Sequence, residues 1–158
     1  MVLLYQNKFM ADLFNISDAA RIGLHAAMLL AQEPRRRWTI KGLAQQLNCS
    51  AAHLAKVLVR LEHAGLIKGK TGPGGGYTLA RKAKEINLLQ VYQAIAGRLK
   101  LNSCPFAVPV CQENGCPLGK FLQGVTHQVV QRLKVTTLAD LRINIGGKNA
   151  DKKKGNQD

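Results

Sequence analysis

Hydrophobic positions follow a helical period through the first part of the chain and predict a helix over residues 18–31. Apolar side chains recur there at helical spacing, behind Ser17, whose hydroxyl suits an N-cap. Pro34 ends this helix, because the residue before a proline avoids the helical conformation.

Two further helices follow in close succession. Thr39 and Ser50 are suitable N-caps for helices over residues 40–47 and 51–64, and Gly65 follows the second as a C-terminal cap. A helix, a short turn and a second amphipathic helix form the helix-turn-helix pattern.

A glycine-rich hairpin comes directly after these helices. Residues 66–68 and 77–79 predict short strands, and residues 71–76 predict the turn, since glycines permit the positive φ of a tight hairpin. A helix-turn-helix followed by such a hairpin is a winged helix. The predicted fold class is therefore mainly α: a winged helix-turn-helix with a small β-hairpin wing and a long C-terminal dimerisation helix.

The long helix is predicted from the apolar positions that recur between Leu118 and Leu133. Before it, Asn87 caps a helix over residues 88–99, and residues 100–117 form an irregular loop. We expect the apolar face of the long helix to pair two chains, because the winged helix already has its own core. Closure of the monomer's core is the alternative.

The expected organisation has four parts. They are a lead-in over residues 1–16, the winged helix over 17–86, a cysteine-loop sensor and dimerisation region over 87–146, and a basic disordered tail over 147–158.

The net charge of the chain indicates the class of partner that it binds. Lysine and arginine number 23 against 9 aspartates and glutamates, which gives the 158 residues a net charge of +14. This excess favours a polyanion as the partner. It disfavours a protein that binds calcium or similar ions through acidic ligands. No stretch approaches the roughly 20 apolar residues of a bilayer crossing, and the start lacks a secretion signal. We therefore expect a cytoplasmic protein without a membrane partner.

The winged helix predicts binding to double-stranded DNA. The helix over residues 51–64 suits the major groove, where Lys56 and Arg60 would contact base edges or phosphates. The glycine-rich wing suits the minor groove or its phosphates. A solvated basic face and a purely structural hairpin are the alternatives. The predicted DNA-contacting residues are Ser50, Ala52, His53, Lys56, Arg60, Lys70, Thr71, Gly74 and Tyr77.

Three cysteines of the loop are candidate metal ligands or reactive thiols. Cys104, Cys111 and Cys116 are separated by six and four residues, where prolines favour irregular backbone that lets three thiolates face one centre. They are one short of the four ligands usual for zinc or an iron–sulfur cluster, so a fourth comes from elsewhere or the site is open. A reversible disulfide and chance placement are the alternatives. Cys49 lies in the helix-turn-helix turn and is expected to be a small buried residue.

Four segments resemble the Rrf2 family of dimeric winged-helix repressors. They are residues 18–31, residues 50–65, the run TGPGGGYTLAR over 71–81 and the run TLADL over 137–141. The resemblance implies a DNA-binding dimer paired through the long helix. For members with three cysteines in the loop it also implies a 2Fe-2S or 4Fe-4S cluster, with Cys104, Cys111 and Cys116 as ligands.

The resemblance also implies a fourth ligand from the partner subunit. In some members this is an acidic residue near the start of the first helix, where this chain has Asp18; the alternative is an acid that favours the helix dipole. Two positions depart from the family pattern. Gly119 stands where one branch has a histidine, and Thr71 stands where an arginine often precedes the wing glycines.

The predicted function is that of a transcription regulator, more specifically a repressor. Its DNA affinity would be set by an iron–sulfur cluster that senses redox state, nitric oxide or iron. The alternative is a cofactor-free winged-helix regulator controlled by a thiol switch or a partner protein. An enzyme is not expected, because no histidine lies within the cysteine loop to activate a thiol.

Overall fold

The computed structural model describes residues 16–98 and 116–142 and confirms the mainly helical winged-helix fold. The wing is a two-stranded antiparallel sheet. The elements in chain order are α1 (Asp18–Gln32), α2 (Ile40–Leu47), α3 (Ala51–His63), β1 (Ile67–Lys70), β2 (Gly76–Leu79), α4 (Leu88–Ala96) and α5 (Pro117–Val135), with single 3-10 turns at Ala83–Glu85 and Leu138–Asp140.

The predicted N-caps are confirmed. Ser17, Thr39, Ser50 and Asn87 each accept a hydrogen bond from the backbone amide three residues further on. Each bond satisfies one of the amide groups that a helix start leaves without an intrahelical partner.

Several predicted helix ends move by one to three residues. The helix predicted over residues 88–99 ends at Ala96, because Gly97 adopts a φ of 76°, outside the helical region. The long helix begins at Pro117, one residue before the predicted Leu118, since proline is well suited to the first helical position. The strands, predicted over 66–68 and 77–79, lie at Ile67–Lys70 and Gly76–Leu79.

The core lies where α1, α3 and α4 pack against one another. Its fully buried side chains are aliphatic and come from both sides of the predicted boundary at residue 86. The largest of them are Leu30, Leu43, Leu54, Leu58, Leu61, Ile67, Ile86, Leu138, Val57 and Val91.

The chain returns to this core after α5. The amide of Leu88 donates to the main-chain oxygen of Thr136 at 3.0 Å, and the amide of Leu138 donates to that of Ile86 at 2.9 Å. Leu138 is buried in the core. The division of the chain at residue 86 stays a prediction, and the described residues on both sides of it share one core. The predicted lead-in, apart from Ile16, and the basic tail lie outside the described residues.

The apolar side of α5 is only partly covered in the single chain, where Leu122, Val125, Val129 and Leu133 are half-buried. Leu118, Phe121 and Val135 are 52%, 65% and 64% exposed. Among the described residues, the apolar side chains that pack against the core include Leu88 and Leu141 but none from α5. No helix in the described part of the chain has the length and apolar character that a bilayer crossing requires.

The wing sheet has a third participant that the sequence pattern did not predict. Trp38 forms an antiparallel bridge with Tyr77 of β2, through hydrogen bonds of 3.0 and 2.8 Å in the two directions. Gly76 lies beside this bridge at a φ of 134°, and a Cβ there would lie 2.7 Å from the main-chain oxygen of Trp38. The segment before α2 is thus fixed to the wing.

We expect Gly76→Ala to destabilise the protein more than Gly74→Ala. Both glycines have positive φ, but only the Cβ at residue 76 meets backbone, whereas none of the described atoms lies within 4 Å of a Cβ at residue 74. Backbone strain at such a position costs about 1–3 kcal/mol, and the clash adds to it at Gly76. Urea unfolding measures the two free energies; equal losses would contradict the close approach of Trp38.

The hydrogen bonds of the Asp140 carboxylate should make the stability of the protein depend on pH. It accepts hydrogen bonds from the hydroxyl of Thr137 at 2.7 Å and from the amide of Thr137 at 2.8 Å. The hydroxyl bond first, and then the amide bond, hold the pKa of Asp140 below its usual value. A lowered pKa in the folded state gives stability that is present above the unfolded pKa and is lost as the pH falls through the folded pKa.

We therefore expect Asp140→Asn to lower the Tm at neutral pH and to match the parent protein at strongly acidic pH. Thr137→Val removes the hydroxyl donor alone and gives a smaller part of the same difference. Thermal melts followed by circular dichroism across this pH range measure it. A loss of Tm that is the same at every pH would assign the effect to something other than the carboxylate charge.

Candidate nucleic-acid interface

Burial of one side of α3 fixes which side chains face outward. Leu54, Val57, Leu58 and Leu61 are buried in the core. Ala52 and Lys56, from the predicted DNA-contacting set, are exposed on the opposite side of the helix. A small side chain beside an exposed cation lets this face approach the floor of a groove.

His53 lies at the side of α3 and is half-buried. It lines an open cavity of about 530 Å³ together with Cys49 from the turn and Asp18, Arg21 and His25 from α1. Ser50 accepts the amide of His53 at 3.5 Å and so starts the helix at this place. The structure therefore brings together the first turn of α3 and the predicted ligand Asp18.

Arg60 turns away from the outward face. Its Nη1 atom donates a hydrogen bond of 3.0 Å to the main-chain oxygen of Ile95, at the end of α4. Lys56 and Arg60 were each predicted to contact DNA. Both residues are exposed, but Lys56 lies on the outward face while the guanidinium of Arg60 reaches α4.

The predicted wing residues lie at or beside the tip of the hairpin. Lys70, Thr71 and Gly74 are exposed, and Tyr77 is half-buried next to Trp38. Lys70 pairs with Gly76 in the strand register. The tip is closed by a 2.9 Å hydrogen bond from the amide of Gly75 to the main-chain oxygen of Gly72.

Glu62 holds the wing against α3. Its Oε1 atom accepts the amide of Gly69 at 2.7 Å. Helical spacing places Glu62 among the solvent-facing residues of α3, so this bond could not be predicted from the sequence pattern. The carboxylate fixes the angle between the two elements that a winged helix presents to DNA.

Cations also surround Trp38 at the base of the wing. The guanidinium of Arg36 lies 3.7 Å from the centre of the Trp38 ring and 3.0 Å from a carboxylate oxygen of Glu33. Arg35 and Arg37 are exposed on either side of it. The sequence pattern predicted only that α1 ends at Pro34; the three consecutive arginines that follow it were the available signal of a basic surface.

Of the three candidate cysteine ligands, Cys116 lies within the described residues, and Cys104 and Cys111 lie outside them. Cys116 is the N-cap of α5, and its Sγ atom accepts the amide of Gly119 at 3.4 Å. A helix N-terminus favours the thiolate, which is the form that binds a metal. Within residues 16–98 and 116–142, no three His, Cys, Asp or Glu side chains are grouped to hold a metal ion.

Asp18 and Cys49 differ in their surroundings. The Asp18 side chain is 68% exposed and forms an ion pair with Arg21 in the first turn of α1. Cys49 is half-buried against the core, and burial raises the pKa of its thiol. The expectation that Cys49 is a packed side chain agrees with this position, although it is not fully buried.

Known regulators match this chain over different lengths. The sequence profile of the Rrf2 family, described as "Iron-dependent Transcriptional regulator", matches residues 16–143. BadM of Rhodopseudomonas palustris, named as an HTH-type transcriptional regulator, is 42% identical over 48% of this chain and 49% of its own length. The HTH-type transcriptional regulator NsrR of Shouchella clausii is 31% identical over 77% of this chain and 83% of its own. The chain spans about half the length of the first curated relatives it matches.

Solved structures share the fold. CymR, the global cysteine regulator of B. subtilis, has a TM-score of 0.67 and 27% identity, over 79% of this chain and 93% of its own. IscR of T. potens has a TM-score of 0.63 and 27% identity, over 78% of this chain and 82% of its own. These relatives are named as regulators and not as enzymes. The resemblance noted in the sequence is confirmed: the chain belongs to the Rrf2 family of transcription regulators.

Proposed function

We propose that this regulator is a cytoplasmic repressor whose DNA affinity is set by an iron–sulfur cluster. Cys104, Cys111 and Cys116 of one chain and Asp18 of the partner subunit would hold the cluster. When bound, it would supply a centre that responds to redox state, nitric oxide or iron supply.

The position of Cys116 carries this proposal. Its sulfur lies at the N-terminus of a 19-residue helix and already accepts a backbone amide. Hydrogen bonds to a cysteine sulfur, together with the helix dipole, stabilise the thiolate that iron–sulfur clusters require. The iron-dependent description of the family and the similarity to NsrR and IscR support the same assignment.

Asp18 suits the role of a ligand that arrives from another chain. It is exposed, and its partner Arg21 is exposed as well, so the carboxylate is accessible to a second molecule. An exposed ion pair contributes little to stability, and exchanging it for a metal bond costs little. Asp18 also lines the cavity that reaches the first turn of α3.

The DNA-binding surface in this proposal combines α3 with the wing. Ser50, Ala52, His53 and Lys56 would meet the major groove, and Lys70, Thr71, Gly74 and Tyr77 would meet the adjacent minor groove or its phosphates. The net charge of +14 favours approach to DNA from any direction.

The exposed apolar side chains of α5 support a homodimer in this proposal. Large apolar side chains such as Phe121 and Leu118 are exposed in the single chain, and pairing them across two copies removes them from water. A two-fold dimer presents two α3 helices to two half-sites of one operator.

A thiol switch or a partner protein without a cofactor is the second candidate. The similarity to CymR, named as a cysteine regulator, favours it. In this case two of the loop cysteines would form a reversible disulfide, or a partner would bind the loop.

Metal analysis of protein purified without oxygen separates the two candidates. We expect stoichiometric iron and sulfide with visible absorption, and we expect Cys111→Ala to lose all three because only two of the three cysteine ligands remain. Cys49→Ala is the matched control and keeps them, since that thiol packs against the core. Iron-free, colourless parent protein that forms a disulfide on oxidation would support the second candidate instead.

Lys56→Ala tests the DNA surface. With a duplex selected from a random-sequence pool, we expect weaker binding and, for a phosphate contact, a salt slope smaller by about one. Lys134→Ala, an exposed lysine of α5, is the control and leaves both values unchanged. The same affinity and slope in both variants would remove this face of α3 from the interface.

A further inference from the structure

Arg60 connects α3 to the helix that precedes the cysteine-containing segment. Its guanidinium donates to the main-chain oxygen of Ile95 at 3.0 Å, across 35 positions of the chain. Ile95 lies in the last turn of α4, where main-chain oxygens lack intrahelical partners and the helix dipole favours a cation. The bond therefore joins two helices at a point where the end of α4 needs a donor.

Close packing surrounds this bond. Gly23 of α1 meets Ile95 of α4 and Val57 of α3, and a Cβ on Gly23 would overlap the Cδ1 atom of Ile95 and lie 3.1 Å from the Cγ1 atom of Val57. Val57 and Ile95 are 1% and 6% exposed. Close-packed interiors transmit strain, so this contact links the end of α4 mechanically to the middle of α3.

The covalent chain leads from this contact to the cysteines. Gly97 ends α4 at a φ of 76°, and residues 99–115, with Cys104 and Cys111, separate it from Cys116 at the start of α5. A change at the cysteines therefore reaches the winged helix through the end of α4 on one side.

We propose that Arg60 is a positioning residue that couples the state of the cysteine segment to the orientation of α3, in place of a direct contact with DNA. The inference rests on the proposed function, in which that segment receives the signal. When the end of α4 shifts, the Ile95 oxygen carries the guanidinium with it, and α3 turns its outward face relative to the groove.

Lys56 and Arg60 then form a matched pair one helical turn apart. Lys56 faces outward, and Arg60 faces α4. Changing Lys56 should affect DNA affinity in every state, whereas changing Arg60 should affect the difference between states. Arg60→Gln and Lys56→Gln remove the same charge and are compared directly.

Amide hydrogen exchange tests the coupling between α3 and the end of α4 and needs no redox or nitric oxide stimulus. Because coupling between two sites is reciprocal, a duplex selected by the parent protein should slow exchange both in α3 and in residues 93–97. In Arg60→Gln we expect the slowing to persist in α3 and to disappear in residues 93–97. Slowing that persists in both places, or that is absent from residues 93–97 of the parent protein, would overturn the proposal.

Duplex affinity before and after treatment with nitric oxide or an oxidant gives the second measurement. Coupling between two sites usually changes affinity by about 5–150-fold. Arg60→Gln should bring the ratio of duplex affinities before and after treatment towards one. The affinity of the untreated variant should differ from that of the untreated parent protein by less than about threefold. An equal loss of affinity in both states, with the reduced salt slope of Lys56→Gln, would identify Arg60 as a phosphate contact and overturn the proposal.

The two measurements distinguish failure of the Arg60 coupling from failure of the proposed sensing function. A parent protein whose affinity ignores every treatment contradicts the proposed sensing function, and hydrogen exchange still decides whether Arg60 couples α3 to α4. Circular dichroism and Tm establish that Arg60→Gln is folded. If it is not folded, Arg60→Met carries the same tests, because methionine keeps a long unbranched side chain but has no donor for the Ile95 oxygen.

Discussion

The structure depends on the close packing of three helices at Gly23, where a Cβ would overlap the end of the Ile95 side chain. Gly23 lets α1 approach α3 and α4 closely enough for Val57 and Ile95 to be buried between them. Because this contact includes α3 and the last turn of α4, the residues proposed to bind DNA and the helix that precedes the cysteine segment belong to one closely packed core.

Local chemistry explains how much of this fold the sequence predicted. The hydroxyl or amide side chains of Ser17, Thr39, Ser50 and Asn87 interact within one turn of their own position, so the sequence alone indicates where α1 to α4 begin. The end of α4 was placed too late, because apolar spacing continues past Gly97 and the backbone conformation of that glycine overrides it.

Contacts between distant residues explain what the sequence did not predict. The bond between Glu62 and Gly69, the bridge between Trp38 and Tyr77, and the bond from Arg60 to Ile95 each depend on how elements pack. Helical spacing put Arg60 on the same side as Lys56, but a long flexible side chain follows the nearest unsatisfied acceptor. The predicted DNA surface stays a prediction, and the hydrogen bond of Arg60 shows that the position of one of its side chains depends on tertiary structure.

The paired backbone of Asn87 and Thr137 has a consequence for how such regulators diversify. The chain passes Asn87, adds α4 to the core, and returns to Asn87 at Thr137 after α5, so the part between Ala96 and Thr137 is an excursion from a closed base. The entropy of closing such an excursion grows only slowly with its length. Segments of different length and ligand chemistry can therefore be exchanged between these two points during evolution, and the module that reads DNA keeps its shape.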